Sequence, residues 1–426
     1  MSLPDLIEIA PLTARVSAEI TVPGSKSITN RALILAALAG GEVTLRGALW
    51  SEDTQVMTAA LRQLGFEIEA TPDPREPCNR AIRIRGLGGK IPSAGTPENP
   101  LELFVGNAGT AARFLAALVT LGHGVYRLRG TDRMHQRPQT ALFDALRELG
   151  YRVDSENGQL PALIFGAGPR HASCRVALDE SSQFGSALLL CATVSHWKVQ
   201  VVGENSEEAP YVAMTRQLIA AFPSRGGEFQ IEADASSASY FIAANSLLQQ
   251  PPDRIRIPAF PSSNWQIDAA FPNFLPLPPE ISRRSQLGDS IMTAIILAPF
   301  AGHPTQFIHL ERLRLQECER VAALRAELTK CGVTVIENGD MLTVFPATNG
   351  LRGAVIETYD DHRIAMCFAI LALKIPGIQL KHPSCVKKTF PNFFQKLAAR
   401  PPAGLGAAIL DPQTRHPLPE EQLFAD

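Results

Sequence analysis

The sequence predicts an α/β protein built as two pseudo-symmetric domains. Three observations carry that prediction. A unit of apolar helix, strand, amphipathic helix and strand recurs along the chain; each recurrence is entered by small polar residues; and six copies fall three and three about residues 232 to 236. At 426 residues, 45 % of them hydrophobic, the chain can bury two cores. The expected domains are 22–235, holding the first three copies, and 1–21 joined to 236–426, with hinges near 20–23 and 232–236.

Residues 3–22 alternate loosely and predict one or two strands before Pro23. Residues 23 to 31, Pro-Gly-Ser-Lys-Ser-Ile-Thr-Asn-Arg, lead into an apolar helix predicted at 31–39 and stopped by Gly40-Gly41. Small residues there let an anion approach the free N–H groups of the first helical turn, and Lys26 and Arg31 add full charges. A strand at 43–46, a helix at 53–64 and a strand at 66–69 complete the first copy. Gly106-Asn-Ala-Gly-Thr110 opens the second, with a helix at 111–121, a strand at 125–129, a helix at 140–149 and a strand at 151–154. Ser181-Ser-Gln183 opens the third, with an apolar run at 187–194, a strand at 198–202, a helix at 211–221 and a strand at 229–232.

Asp234-Ala-Ser-Ser-Ala-Ser239 opens a fourth copy that is cut down, because Pro272, Pro276, Pro278 and Pro279 follow its strand at 254–257 and oppose a regular helix. The fifth starts at Asp289-Ser290 and continues with a strand at 305–310, a helix at 319–330 and a strand at 333–337. Asp360-Asp-His-Arg363 opens the sixth. The first helix of each copy is apolar nearly all round and is predicted to be buried, while the second carries one polar face. Two such domains facing each other would line a cleft with helix N-termini, whose positive dipole ends favour an anionic ligand.

Composition narrows the function. A net charge of −2 gives no footprint for nucleic acid. No apolar run has the length of a membrane span, and residues 1–20 carry acids without the apolar centre of a signal peptide, so a cytoplasmic protein is expected. Seven dispersed cysteines without a CxxC suggest neither disulfides nor zinc.

The candidate chemistry lies in cations at repeat entrances and in loops: Lys26, Arg31, Arg113, Arg133, Arg137, Arg314, Arg320, Arg363 and Lys388. Each taken alone reads equally well as a solvated surface charge; their recurrence at equivalent points favours an anion site. Asp289 and Glu317 stand among them, either as structural ion-pair partners or as acid and base. Gly24-Ser-Lys26 lacks the glycine spacing of a P-loop. His362 beside Asp360 and Asp361 reads as a structural histidine, and Cys318 as a packed small residue.

Pro23-Gly-Ser-Lys-Ser-Ile-Thr-Asn-Arg31, Gly106-Asn-Ala-Gly-Thr-Ala-Ala-Arg113, Arg133-Met-His-Gln-Arg-Pro138, Ser181-Ser-Gln183, Asp234-Ala-Ser-Ser-Ala-Ser-Tyr240, Asp361-His-Arg363 and Lys388-Thr-Phe-Pro391 resemble the 5-enolpyruvylshikimate-3-phosphate synthases, in order and over nearly the whole chain. The resemblance implies two domains of three βαβαββ units each, an inside-out α/β barrel architecture closing over a cleft. It implies transfer of the enolpyruvyl group of phosphoenolpyruvate to the 5-hydroxyl of shikimate 3-phosphate, with release of phosphate, no metal and no cofactor, by a monomer. By the same resemblance Lys26, Arg133 and Lys388 contact the phosphate of phosphoenolpyruvate and Arg320 and Arg363 its carboxylate, with Asn107, Gly109, Thr110 and Gln183 completing that pocket. Ser27, Arg31, Ser181, Ser182, Tyr211 and Asp289 match the acceptor side, which Gln183 also borders. Glu317 is assigned proton transfer at the methylene carbon and Asp289 the hydroxyl, with Lys26 sharing the proton work.

The sequence departs from the family pattern in four places. Gln316 replaces the lysine before the catalytic glutamate, Arg312 an asparagine four places earlier, and Glu208 a serine three before Tyr211. All three bear on the acceptor phosphate, where Arg312 is a candidate substitute cation. Phe114 stands in place of a proline. Two alternatives therefore stand beside the main reading: a transferase for a related acceptor without the 3-phosphate, and a non-catalytic anion-binding homologue.

Overall fold

The computed structural model describes residues 3–178, 181–203, 209–249, 251, 254–348 and 350–425. The chain divides into two compact units: Gly24–Glu232, and Met1–Pro23 together with Ala233–Asp426.

In Gly24–Glu232 three helices, Lys26–Leu38, Gly109–Leu118 and Ser182–Ser195, pack on one another. Every residue of Gly109–Leu118 is buried, as is all of Lys26–Leu38 beyond its first two positions. Such helices have no polar face to turn outward, so sheets and amphipathic helices must cover them on all sides. Two four-stranded sheets and one two-stranded sheet do so. The other unit repeats the plan with Ala235–Leu247, Ile291–Leu297 and His362–Ala372, the last two wholly buried.

The sheets share one grammar. Val43–Arg46 runs parallel to Gly227–Gln230 and antiparallel to Asn79–Arg85, which pairs antiparallel with Ile68–Pro72. The sheets around His123–Arg129 and Thr305–Ile308 follow the same parallel, antiparallel, antiparallel order. All are open, with two edges each.

Several expectations are corrected. The helix expected at 31–39 starts at Lys26, so Lys26 and Ser27 lie in its first turn rather than before it. The strand expected at 229–232 is Gly227–Gln230, and it belongs to the first sheet of its unit rather than to a third-copy sheet. The third copy is consequently cut down too, to the pair Ser173–Ala177 and Lys198–Val202. Its periodicity gave no hint of this, because pairing partners far apart in sequence leave no mark on local pattern. In the Pro-rich fourth copy the chain forms the 3-10 helix Ile267–Phe274, and its sheet is Ile255–Arg256 with Ala18–Glu19. Return strands such as Asn79–Arg85 and Ala162–Ala167 had no counterpart in the sequence reading. No helix among the described residues is long and apolar enough to cross a membrane.

Candidate active site

The predicted residues gather in two clusters, one in each unit. In Gly24–Glu232 the first cluster grows from the entrance of Lys26–Leu38. Gly24 sits so close to Gly47 that a Cβ would lie 2.0 Å from the Gly47 carbonyl oxygen, and its N–H donates to Asn79 Oδ1 at 2.8 Å. Only glycine fits there, and the approach fixes where the helix begins. Lys26 then follows at the first helical position, its Nζ 3.1 Å from Oδ2 of the buried Asp53. Ser27 is half-buried, and its carbonyl accepts from Arg31 Nη1 at 2.8 Å.

Arg31 turns inward. Its Nε donates to Thr215 Oγ1 at 2.7 Å and its Nη2 to Ser186 Oγ at 3.1 Å, and the guanidinium lies 5.4 Å from the centre of the Phe114 ring. It is 2 % exposed and ties Lys26–Leu38 to Ser182–Ser195 and Ala209–Ala221. Phe114 thus forms a cation–π wall for Arg31. Thr215 Oγ1 also donates to the Tyr211 carbonyl at 2.9 Å, so the half-buried Tyr211 joins the same chain of contacts. Glu208 lies outside the described residues.

Asn30 Nδ2 donates to Thr110 Oγ1 at 2.8 Å and joins the first helix entrance to the second. At Gly109 a Cβ would meet Arg113 Nη1 at 2.6 Å and Arg137 Nη2 at 2.8 Å, so glycine lets two guanidinium groups close over the helix start. Arg137 Nη1 donates to the Asn107 carbonyl at 3.2 Å, and Arg113 Nη2 to that of Pro138 at 2.8 Å. Arg133, half-buried on Asp132–His135, donates to Gln136 Oε1 at 3.3 Å. Ser181 caps Ser182–Ser195 by accepting from the Gln183 N–H at 3.2 Å.

The second cluster, in the other unit, is a continuous network of charge. Asp361 caps His362–Ala372, accepting from the Arg363 N–H at 2.9 Å. It also takes two bonds from Arg320, Nε at 2.7 Å and Nη2 at 3.2 Å. Arg320 is 1 % exposed and reaches onward, to Glu317 Oε2 at 2.8 Å and to Gln316 Oε1. Glu317 Oε1 lies 3.3 Å from Lys388 Nζ. Gln316 Nε2 is 3.5 Å from Asp289 Oδ1, so this amide bridges Arg320 and Asp289. Arg363 closes the ring, with Nη2 3.0 Å from Asp289 Oδ2 and Nη1 donating to Ser236 Oγ at 2.7 Å. Arg312 is buried in the 3-10 turn Glu311–Leu315 that leads into Gln316.

Burial opposes ionisation of Asp289, yet Arg363, Arg320 and Arg283 together hold its carboxyl well below the usual carboxylate range. The guanidinium of Arg363 is pushed the other way: burial works against its charge, and Asp289 leads the groups that raise it. Both are ionised at any working pH, and a proton acceptor is held amid fixed cations.

Some partners were invisible in the sequence. Asp53, Arg283 and Asp268 lie in none of the recognised motifs, and only folding brings Arg283 Nη2 within 3.7 Å of Asp289. Asp361 was visible in its motif, but its hold on Arg320 was not. Arg314 pairs instead with Glu319 at 2.7 Å and Glu337 at 2.8 Å. His362 is buried beside Asp361, and burial pushes the Cys318 thiol up, against nucleophilic use. Among the described residues no three His, Cys, Asp or Glu side chains group as metal ligands.

Comparison with known proteins gives this geometry its context. The sequence model of the family EPSP synthase (3-phosphoshikimate 1-carboxyvinyltransferase) matches residues 12–225 and 280–397. A 3-phosphoshikimate 1-carboxyvinyltransferase from Opitutus terrae is 37 % identical over 93 % of this chain and 98 % of its own length. One from Pseudomonas savastanoi is 38 % identical, covering 91 % and 95 %. The structure of an EPSP synthase from Acinetobacter baumannii superposes with a TM-score of 0.73, covering 95 % of this chain and all of that one, at 21 % identity. The sequence model and the two relatives together span nearly the whole chain, and this protein belongs to the EPSP synthase (3-phosphoshikimate 1-carboxyvinyltransferase) family.

Proposed function

We propose that this chain transfers the enolpyruvyl group of phosphoenolpyruvate to the 5-hydroxyl of shikimate 3-phosphate and releases phosphate, a step toward chorismate and the aromatic amino acids. One observation carries the reading beyond family membership. Two carboxylates, Asp289 and Glu317, are fixed within a single network by Arg320, Arg363 and Lys388.

The reaction needs such a pair. Glu317, which must enter the step protonated, delivers that proton to the methylene carbon of phosphoenolpyruvate as the acceptor oxygen bonds to its central carbon, and Asp289 takes the hydroxyl proton. The resulting tetrahedral adduct then loses phosphate, and its methyl group returns a proton, restoring the double bond. Charge at the developing cationic carbon and on the departing phosphate is met by fixed groups, which need no reorganisation during the step.

For the donor, Lys26, Arg133 and Lys388 are proposed to hold the phosphate and Arg320 and Arg363 the carboxylate, with Asn107, Gly109, Thr110 and Gln183 shaping the pocket. Lys26 also shares the proton work. For the acceptor the proposal names Ser27, Ser181, Ser182, Gln183, Tyr211, Asp289, Arg312 and Gln316. Arg31 joins them on the acceptor side, with three of its five N–H donors engaged by Thr215, Ser186 and the Ser27 carbonyl. The proposed enzyme is a cytoplasmic monomer that needs no nucleic acid, membrane or cofactor.

Gln316 favours a second reading. An uncharged amide engaged with Arg320 and Asp289 offers an acceptor phosphate less than a lysine would, and a related acceptor without the phosphate suits it better. Phosphate release from phosphoenolpyruvate, followed with either shikimate 3-phosphate or shikimate, separates the two. Turnover with the phosphorylated acceptor alone supports the first reading. Preference for shikimate replaces it with the second, and silence with both leaves a binding protein.

A further inference from the structure

The turn that presents Asp289 is held from an unexpected place. Asp268 sits in the 3-10 helix Ile267–Phe274, in the Pro-rich stretch where the fourth copy loses its regular helix. Its Oδ1 accepts from the Gly288 N–H at 2.9 Å, the Ser290 N–H at 2.9 Å and the Ser290 hydroxyl at 2.5 Å. Both residues flanking Asp289 are therefore anchored to one oxygen. Asp268 is 7 % exposed, so these bonds face little competition from water.

The same segment secures the neighbouring cation. Gln266 Oε1 accepts from the Ala235 N–H at 3.0 Å, and its Nε2 donates to the Ala233 carbonyl at 2.8 Å. That pins the start of Ala235–Leu247, where Ser236 receives Arg363. Residues 266 and 268 thus fix both members of the Asp289–Arg363 pair from behind.

Arg283, Arg320 and Arg363 all face Asp289, with Glu317 the nearby opposing acid; Asp361 stands on Arg320, and Tyr240 and Asp234 stand near Arg363. Resting on the reading of Asp289 as the base for the acceptor hydroxyl, we propose that Asp268 is a positioning residue: by holding Gly288 and Ser290 on one oxygen it sets where the Asp289 carboxylate stands among Arg283, Arg320 and Arg363. Burial, and after it Asp289, raise the Asp268 carboxyl above its usual range.

The test compares Asp268→Asn, which keeps an acceptor oxygen and removes the charge, with Asp268→Ala, which removes both. Asp268→Ala should lower kcat about tenfold with the KM for phosphoenolpyruvate little changed, and Asp268→Asn, which keeps the acceptor oxygen, should retain most of the wild-type kcat. Asp268→Ala with wild-type kcat, or Asp268→Asn falling as far as Asp268→Ala, overturns the proposal. Amide hydrogen exchange at Gly288 and Ser290 tests the anchoring without any turnover. Asp268→Ala should lose protection there while Asp268→Asn keeps most of it, and protection unchanged in Asp268→Ala overturns the proposal. Wild-type protein that turns over neither acceptor would sink the functional reading instead, and the exchange result would stand apart from it.

Discussion

At the scale of single residues, the second cluster separates two carboxylates by their neighbours. Glu317 has one oxygen on Arg320 and the other by Lys388, while Asp289 faces three guanidinium groups. If Glu317 moves the proton at the methylene carbon, Glu317→Gln keeps an acceptor for Arg320 but has no acid proton to give. Its kcat should fall about 10²- to 10⁴-fold with the melting temperature little changed. Steady-state kinetics beside a thermal melt checks this, and wild-type turnover would remove Glu317 from the mechanism.

Asp289 also links activity to stability. Its carboxyl is held below the usual range in the folded protein, so it contributes stability above the unfolded value and loses that contribution as pH falls. Asp289→Asn should therefore be less stable than wild type at neutral pH, with the gap narrowing below about pH 4. Urea midpoints measured across pH read this directly; a gap independent of pH would show that the cations do not depend on the Asp289 charge.

At the scale of elements, helix entrances do the placing. Lys26, Gly109, Ser181, Asp289 and Asp361 all stand at or next to the start of a buried helix, where backbone N–H groups are free and the dipole is positive. Arg31 shows how such entrances are kept in register, since one guanidinium spans three helices of its unit. Arg31→Ala should cost about 2–4 kcal/mol in urea unfolding, through lost charge-assisted bonds and the space left beside Phe114. An unchanged midpoint would make Arg31 dispensable to the fold and return it to the acceptor.

The buried helices were legible because they are apolar all round, and their entrances because small polar residues precede them. The return strand Asn79–Arg85 was missed because its alternation of buried Ile82 and Ile84 with exposed Arg83 and Arg85 covers only four residues, and the half-buried Arg80 and Ala81 before it break the pattern. The strand Gly227–Gln230 is expected close to its true place but in the third copy, because its pairing with Val43–Arg46 spans most of the unit.

At the scale of the whole molecule, the order of motifs along the chain was enough to point to the family, and the comparisons establish it. What the sequence hid is the support behind the motifs: Asp53 under Lys26, Asp361 under Arg320, and Asp268 under the Asp289 turn. Each support comes from a different segment and bears on one motif residue, so no local pattern announces it. The Pro-rich stretch that reads as a broken repeat is where Asp268 resides, in the 3-10 helix Ile267–Phe274.

The reaction expected of the whole chain is formation of an enol ether from phosphoenolpyruvate and an acceptor hydroxyl. Carbon NMR of a reaction containing phosphoenolpyruvate labelled at its central carbon, with equimolar shikimate 3-phosphate, observes that bond directly. The label should move into an enolpyruvyl ether on the 5-oxygen as an equal amount of phosphate appears. Label recovered in pyruvate, or left in phosphoenolpyruvate, would contradict it.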